Sequence, residues 1–187
     1  MASSTSSAEP RKRSFPPVVD DQVRLLLLGS LPGERSLQAQ QYYAHPQNRF
    51  WELVGAVIAT DLRAMTYEQR LAALLAKRIG LWDVIAEAER PGSLDAAIRN
   101  ETHNALADLV ATLPHLQAVG FNGGTAAKLG RHQLADAGER LHLIDLPSSS
   151  PAYTLALETK MRAWSALKPY AGPSLRGAPK QPLKVFP

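Results

Sequence analysis

Four consecutive leucines, Leu25–Leu28, stand in the run "VRLLLLGS" and are stopped at once by Gly29 and Ser30. The apolar run is too short for a core helix and has no polar alternation, so it reads as a strand buried on both faces. Three later stretches carry the same punctuation: "RIGLWDVI", "LQAVGFNGG" and "RLHLIDLPSSS" are short apolar runs that end in polar or Gly/Pro loops. Between them lie segments of helical period, over Phe50–Ile58, Tyr67–Lys77, Thr102–Leu113, Thr125–Leu129 and Ala152–Leu167. Buried strands alternating with helices predict a parallel sheet covered on both sides, here a three-layer α/β/α domain around four strands.

In such sheets ligands bind beyond the carboxyl ends of the strands. That rule selects four places: the loop from Gly29 to Arg49, the Trp82–Asp83 region, Phe121–Asn122–Gly123, and "LPSSSPAY" from Leu146 to Tyr153. The common signatures for these positions are missing. No G-x-G-x-x-G follows the first strand, and there is no G-x-x-x-x-G-K-[ST] and no G-x-S-x-G, which argues against dinucleotide binding, a phosphate-binding loop and an α/β-hydrolase nucleophile. With no cysteine in 187 residues, disulfides, thiolate metal sites and a cysteine nucleophile are excluded. The histidines, His45, His103, His115, His132 and His142, show no metal-ligand spacing, so no metal site is expected.

Charge adds little to this. The chain carries a formal net charge of +4, but Arg11, Lys12 and Arg13 lie near one end and Arg176, Lys180 and Lys184 near the other. The intervening core is close to neutral. Residues 1–21 are expected to be a disordered basic tail, residues 22–170 a single domain, and residues 171–187 a Pro-rich basic tail. The tails could attract phosphates without sequence preference, or could be solvated termini. No apolar run approaches the roughly 20 residues that span a bilayer, and no secretory signal follows the basic cluster, so a cytoplasmic protein without membrane contact is expected.

The loops "GSLPG", "AHPQNRFW" and "LPSSSPAY", in that order, resemble those of the uracil-DNA glycosylase superfamily over roughly residues 23–168. The fuller set "GSLPGERSL", "QQYYAHPQNRFW", "LWDV", "GSLDAAI", "FNG" and "LPSSSPA" looks most like its hypoxanthine-DNA glycosylase, or deoxyinosine glycosylase, branch. The resemblance implies a monofunctional enzyme of base excision repair that flips out deaminated bases and hydrolyses their glycosidic bond. Hypoxanthine is the chief expected substrate, with uracil a second. It implies no cofactor, a monomer, and a partner that is double-stranded DNA, with single-stranded DNA as a further substrate. The rival is a non-catalytic DNA- or damaged-base-binding module of the same fold.

The resemblance also assigns residues. Most superfamily members carry an Asp or Asn in the first loop to position water, where this chain has Leu31; in the deoxyinosine branch an Asn of the N-x-F-W segment takes over, which maps onto Asn48 as the expected catalytic residue. From the residues alone, Asn48 could instead be a helix cap. Gly29, Ser30, Leu31, Pro32 and Gly33, with His45, are expected to line the base pocket. Tyr43 is expected to stack on the base, a contact worth roughly 1–3 kcal/mol, while Tyr42 packs. Asp83 and Asn122 are candidate readers of the base edge, and either could instead satisfy local backbone groups. Ser148, Ser149, Ser150 and Pro151 are the expected DNA-backbone contacts. Tyr153 stands where an Asn is expected after "SPA".

Overall fold

A computed structural model describes residues 10–137 and 139–172. In chain order the strands are β1 (Lys12–Arg13), β2 (Leu25–Gly29), β3 (Ile79–Asp83), β4 (Ile85–Glu89), β5 (Arg99–His103), β6 (Ala118–Asn122) and β7 (His142–Leu146). The α-helices are α1 (Glu34–Ala39), α2 (Phe50–Ile58), α3 (Tyr67–Ala76), α4 (Leu106–Ala111), α5 (Gly124–Gln133) and α6 (Leu157–Trp164). A four-stranded sheet in the order β3-β2-β6-β7 is parallel throughout.

The leucine run is the centre of it. Successive side chains of a strand point to opposite faces, so Leu26 and Leu28 pack in one core with Leu106, Val110, Ala126 and Ala127 of α4 and α5. Leu25 and Leu27 pack in the other with Phe50, Trp51 and Leu53 of α2, Leu74 of α3 and Trp164 of α6. This is the expected three-layer arrangement, and it explains why β2 tolerates no polar residue on either side.

The chain departs from the sequence expectation in three places. "RIGLWDVI" is not one strand. It breaks at Val84, and β4 leaves for a second, antiparallel sheet of order β1-β4-β5. The expected helix over 102–113 forms only from Leu106; residues 102–103 belong to β5, whose five residues are all exposed and therefore carry no burial pattern for a sequence to reveal. The helix expected from Ala152 begins at Leu157, because residues 151–156 form an exposed loop.

The boundary expected at residue 21 also shifts. Lys12–Arg13 pair with Ala88 and Glu87 of β4, the backbones of Val18 and Leu81 exchange hydrogen bonds of 2.9 and 3.0 Å, and the Trp82 indole donates to Phe15 O at 3.0 Å. Phe15 meets Tyr42 edge-on at 5.1 Å. The basic cluster is neutralised locally: Arg11 and Arg13 each reach Glu87 at 2.9 Å, and Lys12 reaches Glu34 at 3.0 Å. Such surface pairs contribute only about 0–1 kcal/mol each, but they remove three cations from those a free basic tail would offer to DNA. Residues 1–9 and the basic residues of the C-terminal segment lie outside the described residues. Deleting residues 1–18 is expected to lower the unfolding free energy by about 2–4 kcal/mol through lost backbone pairing and aromatic packing. Urea denaturation measures this, and an unchanged midpoint would place the segment outside the domain.

Candidate active site

The four parallel strands deliver their carboxyl ends to one edge of the sheet, where a cavity of about 850 Å³ opens. Gly29 ends β2 and lies in register with Asp83, which ends β3. A side chain at Gly29 would sit 2.7 Å from Asp83 Oδ1 and 2.9 Å from the Tyr43 hydroxyl. Glycine is required here because two polar groups converge on the space a Cβ would fill.

Asp83 is buried, and its Oδ2 has no hydrogen-bond partner among the described residues. Burial raises its pKa to about 8; the Asp95 carboxylate adds to the rise and the Arg90 guanidinium opposes it. The carboxyl is thus held neutral up to about that pH, with one O–H to donate and oxygens to accept. Its backbone is fixed by Asn104, whose amide donates to Asp83 O at 2.8 Å.

The first loop is shaped by a residue that sequence reasoning missed. The Arg90 guanidinium is fully buried and donates to Leu31 O at 3.2 Å, to Pro32 O, and to Gly92 O at 3.2 Å. Asp95 lies 3.8 Å from it and accepts from the Ser30 hydroxyl at 2.8 Å. Arg90 thereby binds "GSLPG" to the connection between β4 and β5. Its sequence signal is slight, a single Arg closing the alternating "AEAE" before Pro-Gly. The Leu31 side chain turns into the core, so the first loop presents no polar side chain at that position.

Asn48 lines the cavity and is half-buried. Its Oδ1 accepts from Phe50 N, the first N–H of α2, at 2.9 Å from the position just ahead of the Arg49 N-cap, while its Nδ2 has no protein partner among the described residues. The same side chain therefore satisfies the first helical N–H through one amide atom and lines the cavity with the other unpaired among the described residues. His45 Nδ1 accepts from Gln47 N at 3.1 Å and His45 O from Asn48 N at 2.9 Å, closing the turn that sets Asn48 in place.

Tyr43 already has a stacking partner within the protein. Its ring stacks on Phe50 at 3.7 Å and 9°, so one face is already covered, and at most the opposite face and the hydroxyl edge remain for a base. Its φ of 53° is a conformation that non-glycine residues rarely adopt, and the stack on Phe50 helps hold it. Tyr42 is buried, with its hydroxyl on Pro16 O at 3.3 Å, as expected for a packing residue.

Asn122 and the serine loop are tied to each other. Asn122 Nδ2 donates to Ser149 Oγ and its Oδ1 accepts from Ser149 N, both at 2.8 Å. Asn122 is a brace between the end of β6 and the last loop as well as a cavity wall. Ser149 is fully buried and its carbonyl accepts from Arg49 N at 3.0 Å, so its side chain is not a surface contact for DNA. Ser148 Oγ accepts from Ser150 N, and Ser150 Oγ from Ala152 N, each at 3.2 Å; their hydroxyl protons remain available to an acceptor. Pro151 is exposed. Lys160, also missed by sequence reasoning, reaches back from α6 to Tyr153 O at 2.7 Å and Ser150 O at 3.4 Å. Burial lowers its pKa, helped by nearby Arg49. Among the described residues no three His, Asp or Glu side chains gather as metal ligands.

A parallel four-stranded sheet with these loops around a cavity roomy enough for a base at its carboxyl edge is the architecture of a DNA glycosylase, and the chain belongs to the uracil DNA glycosylase superfamily, whose family model matches residues 16–171. Within it, the chain is 39% identical over 155 residues to a hypoxanthine DNA glycosylase of Methanosarcina barkeri, covering 83% of this chain and 96% of that protein. It is 40% identical over 156 residues to a second protein of that name from Methanosarcina acetivorans, covering 83% and 97%. A Methanosarcina acetivorans protein described as a candidate uracil DNA glycosylase, solved by solution NMR, superposes with a TM-score of 0.76 at 39% identity, over 85% of this chain and 97% of that one.

The raised pKa of Asp83 has a sign that can be tested. Between its ordinary value near 3.8 and about 8, the folded protein binds a proton that the unfolded chain has released. The stability tied to this proton is fullest below pH 4 and is lost as pH rises toward 8. Asp83→Asn should therefore flatten the decline of stability between about pH 5 and pH 8 and raise the melting temperature relative to the parent at the upper end. Parallel slopes in thermal melts across that range would mean that Asp83 is ionised.

Proposed function

We propose that this cavity receives a deaminated base swung out of DNA, chiefly hypoxanthine from deoxyinosine with uracil as a second substrate, and that water held by Asn48 completes its hydrolytic removal. The observation that carries the reading is the free amide end of Asn48 in a cavity whose first loop has buried Leu31. An amide is no strong base, so its work is to orient water and steady the charge that develops on the sugar. The C1′–N bond breaks with its electron pair leaving on the base. The water oxygen forms the new bond to C1′, and its proton is released.

Hypoxanthine and uracil share a lactam edge, an N–H beside a carbonyl. A neutral Asp83 offers one acceptor and one donor to such an edge. The flipped base would rest beside the free part of the Tyr43 ring, with Gly29 leaving room at the strand end. Ser148, Ser150 and Pro151 are placed to meet the DNA backbone, on duplex or single-stranded substrate, with the protein acting as a monomer in the cytoplasm. Relatives named for a glycosylase activity favour an enzyme over a non-catalytic binding module.

Excision of inosine from a labelled oligonucleotide, followed by alkaline cleavage at the abasic site, tests the activity; an intact strand would leave the binding module. For the assignment of Asn48, Asn48→Ala is expected to slow single-turnover excision by roughly two to three orders of magnitude, as for loss of one preorganised polar group. Loss of the cap alone costs about 1 kcal/mol of stability. Near-parental excision by a slightly destabilised variant would make Asn48 a cap only.

A further inference from the structure

We propose that Leu94, in the connection between β4 and β5, inserts into the base stack of duplex DNA beside the vacated position, as a wedge separate from the serine loop. The inference rests on the glycosylase reading of the cavity. Leu94 is 59% exposed, the most exposed of three large apolar side chains on the surface of the described residues, and it lines the cavity with Tyr153, which is 48% exposed. The two arrive from different edges of the parallel sheet, Leu94 after β3 and β4, Tyr153 after β7.

A single exposed leucine is ordinary. This one is held out by a braced loop. Gly92 O accepts from Lys12 Nζ at 2.6 Å and from Arg90 Nε at 3.2 Å. Ser93 Oγ accepts from Glu34 N at 2.9 Å, and Asp95 accepts from the Ser30 hydroxyl at 2.8 Å. Leu94 O itself accepts from Ala97 N at 3.0 Å. Both sequence neighbours of Leu94 are thus tied to the first loop and α1, and the side chain between them cannot fold into the core without breaking those ties.

An apolar wedge at the mouth of a cavity that can take up a base fits one partner. When a nucleotide leaves a duplex, its neighbours lose a stacking surface, and apolar side chains entering between base steps replace it. Arg35, exposed on the same wall with no acidic partner among the described residues, is placed to meet the phosphates that such an approach brings close.

Insertion is read by fluorescence of 2-aminopurine placed next to an uncleavable abasic analogue in a duplex, a probe that brightens when its stacking is disturbed and needs no turnover. The parent and Leu94→Met are expected to change its intensity on binding, and Leu94→Ala to lose most of that change at saturating protein. In parallel, the ratio of duplex to single-strand inosine excision should fall about tenfold in Leu94→Ala, since a single strand has no stack to fill. Equal fluorescence changes in the parent and Leu94→Ala overturn the wedge whatever the excision rates. A parent that excises inosine from neither substrate overturns the glycosylase reading instead, and the fluorescence then still decides whether Leu94 inserts.

Discussion

Burial of β2 on both faces is the constraint from which the rest of the molecule follows. Leu25 and Leu27 hold α2, α3 and α6 on one side of the sheet, and Leu26 and Leu28 hold α4 and α5 on the other. A strand so placed must be central, and its end at Gly29 must open where the neighbouring strand ends also open. The cavity is the gap left where the sheet stops and the covering helices have not yet begun.

What lines that gap is then decided by polar ties between loops that are far apart in sequence. Arg90 joins the first loop to the β4–β5 connection, Asn122 joins β6 to Ser149, and Lys160 gathers the carbonyls of the last loop. Each is a polar or charged side chain withdrawn wholly or largely from water. Burying such groups is costly unless their hydrogen bonds are made, and here the partners are mostly backbone carbonyls or N–H groups of the loops being positioned. The withdrawal of these side chains therefore fixes loop shape. Asp83 is the exception, since its Oδ2 is buried without a partner among the described residues, and the neutral carboxyl is how the fold accommodates it.

The site was legible in unequal parts. The strand ends, the first loop, the place of Asn48 beside the cavity and the packing of Tyr42 could be read because they sit in compact motifs or in apolar runs. Three further contacts could not be read from the sequence, for one reason. Tyr43 has a face committed to Phe50, Ser149 is buried, and Asn122 spends both ends of its amide on Ser149; in each case the competing partner is chosen by packing and is invisible to local spacing. Arg90, Asp95 and Lys160 escaped notice because a charged residue in sequence looks solvated until a fold encloses it.

The sequence by itself determined the α/β class, the central buried strand, the order of the loops and the family to which they belong, because apolar runs, turn residues and short motifs act locally. Only the tertiary structure decided that residues 10–18 join the domain, that "RIGLWDVI" divides between two sheets, and which polar groups of the loops remain free at the cavity. Those outcomes depend on contacts between segments tens of residues apart. Such contacts form only when burial of the core brings the segments together, and the pattern of any one segment does not contain them.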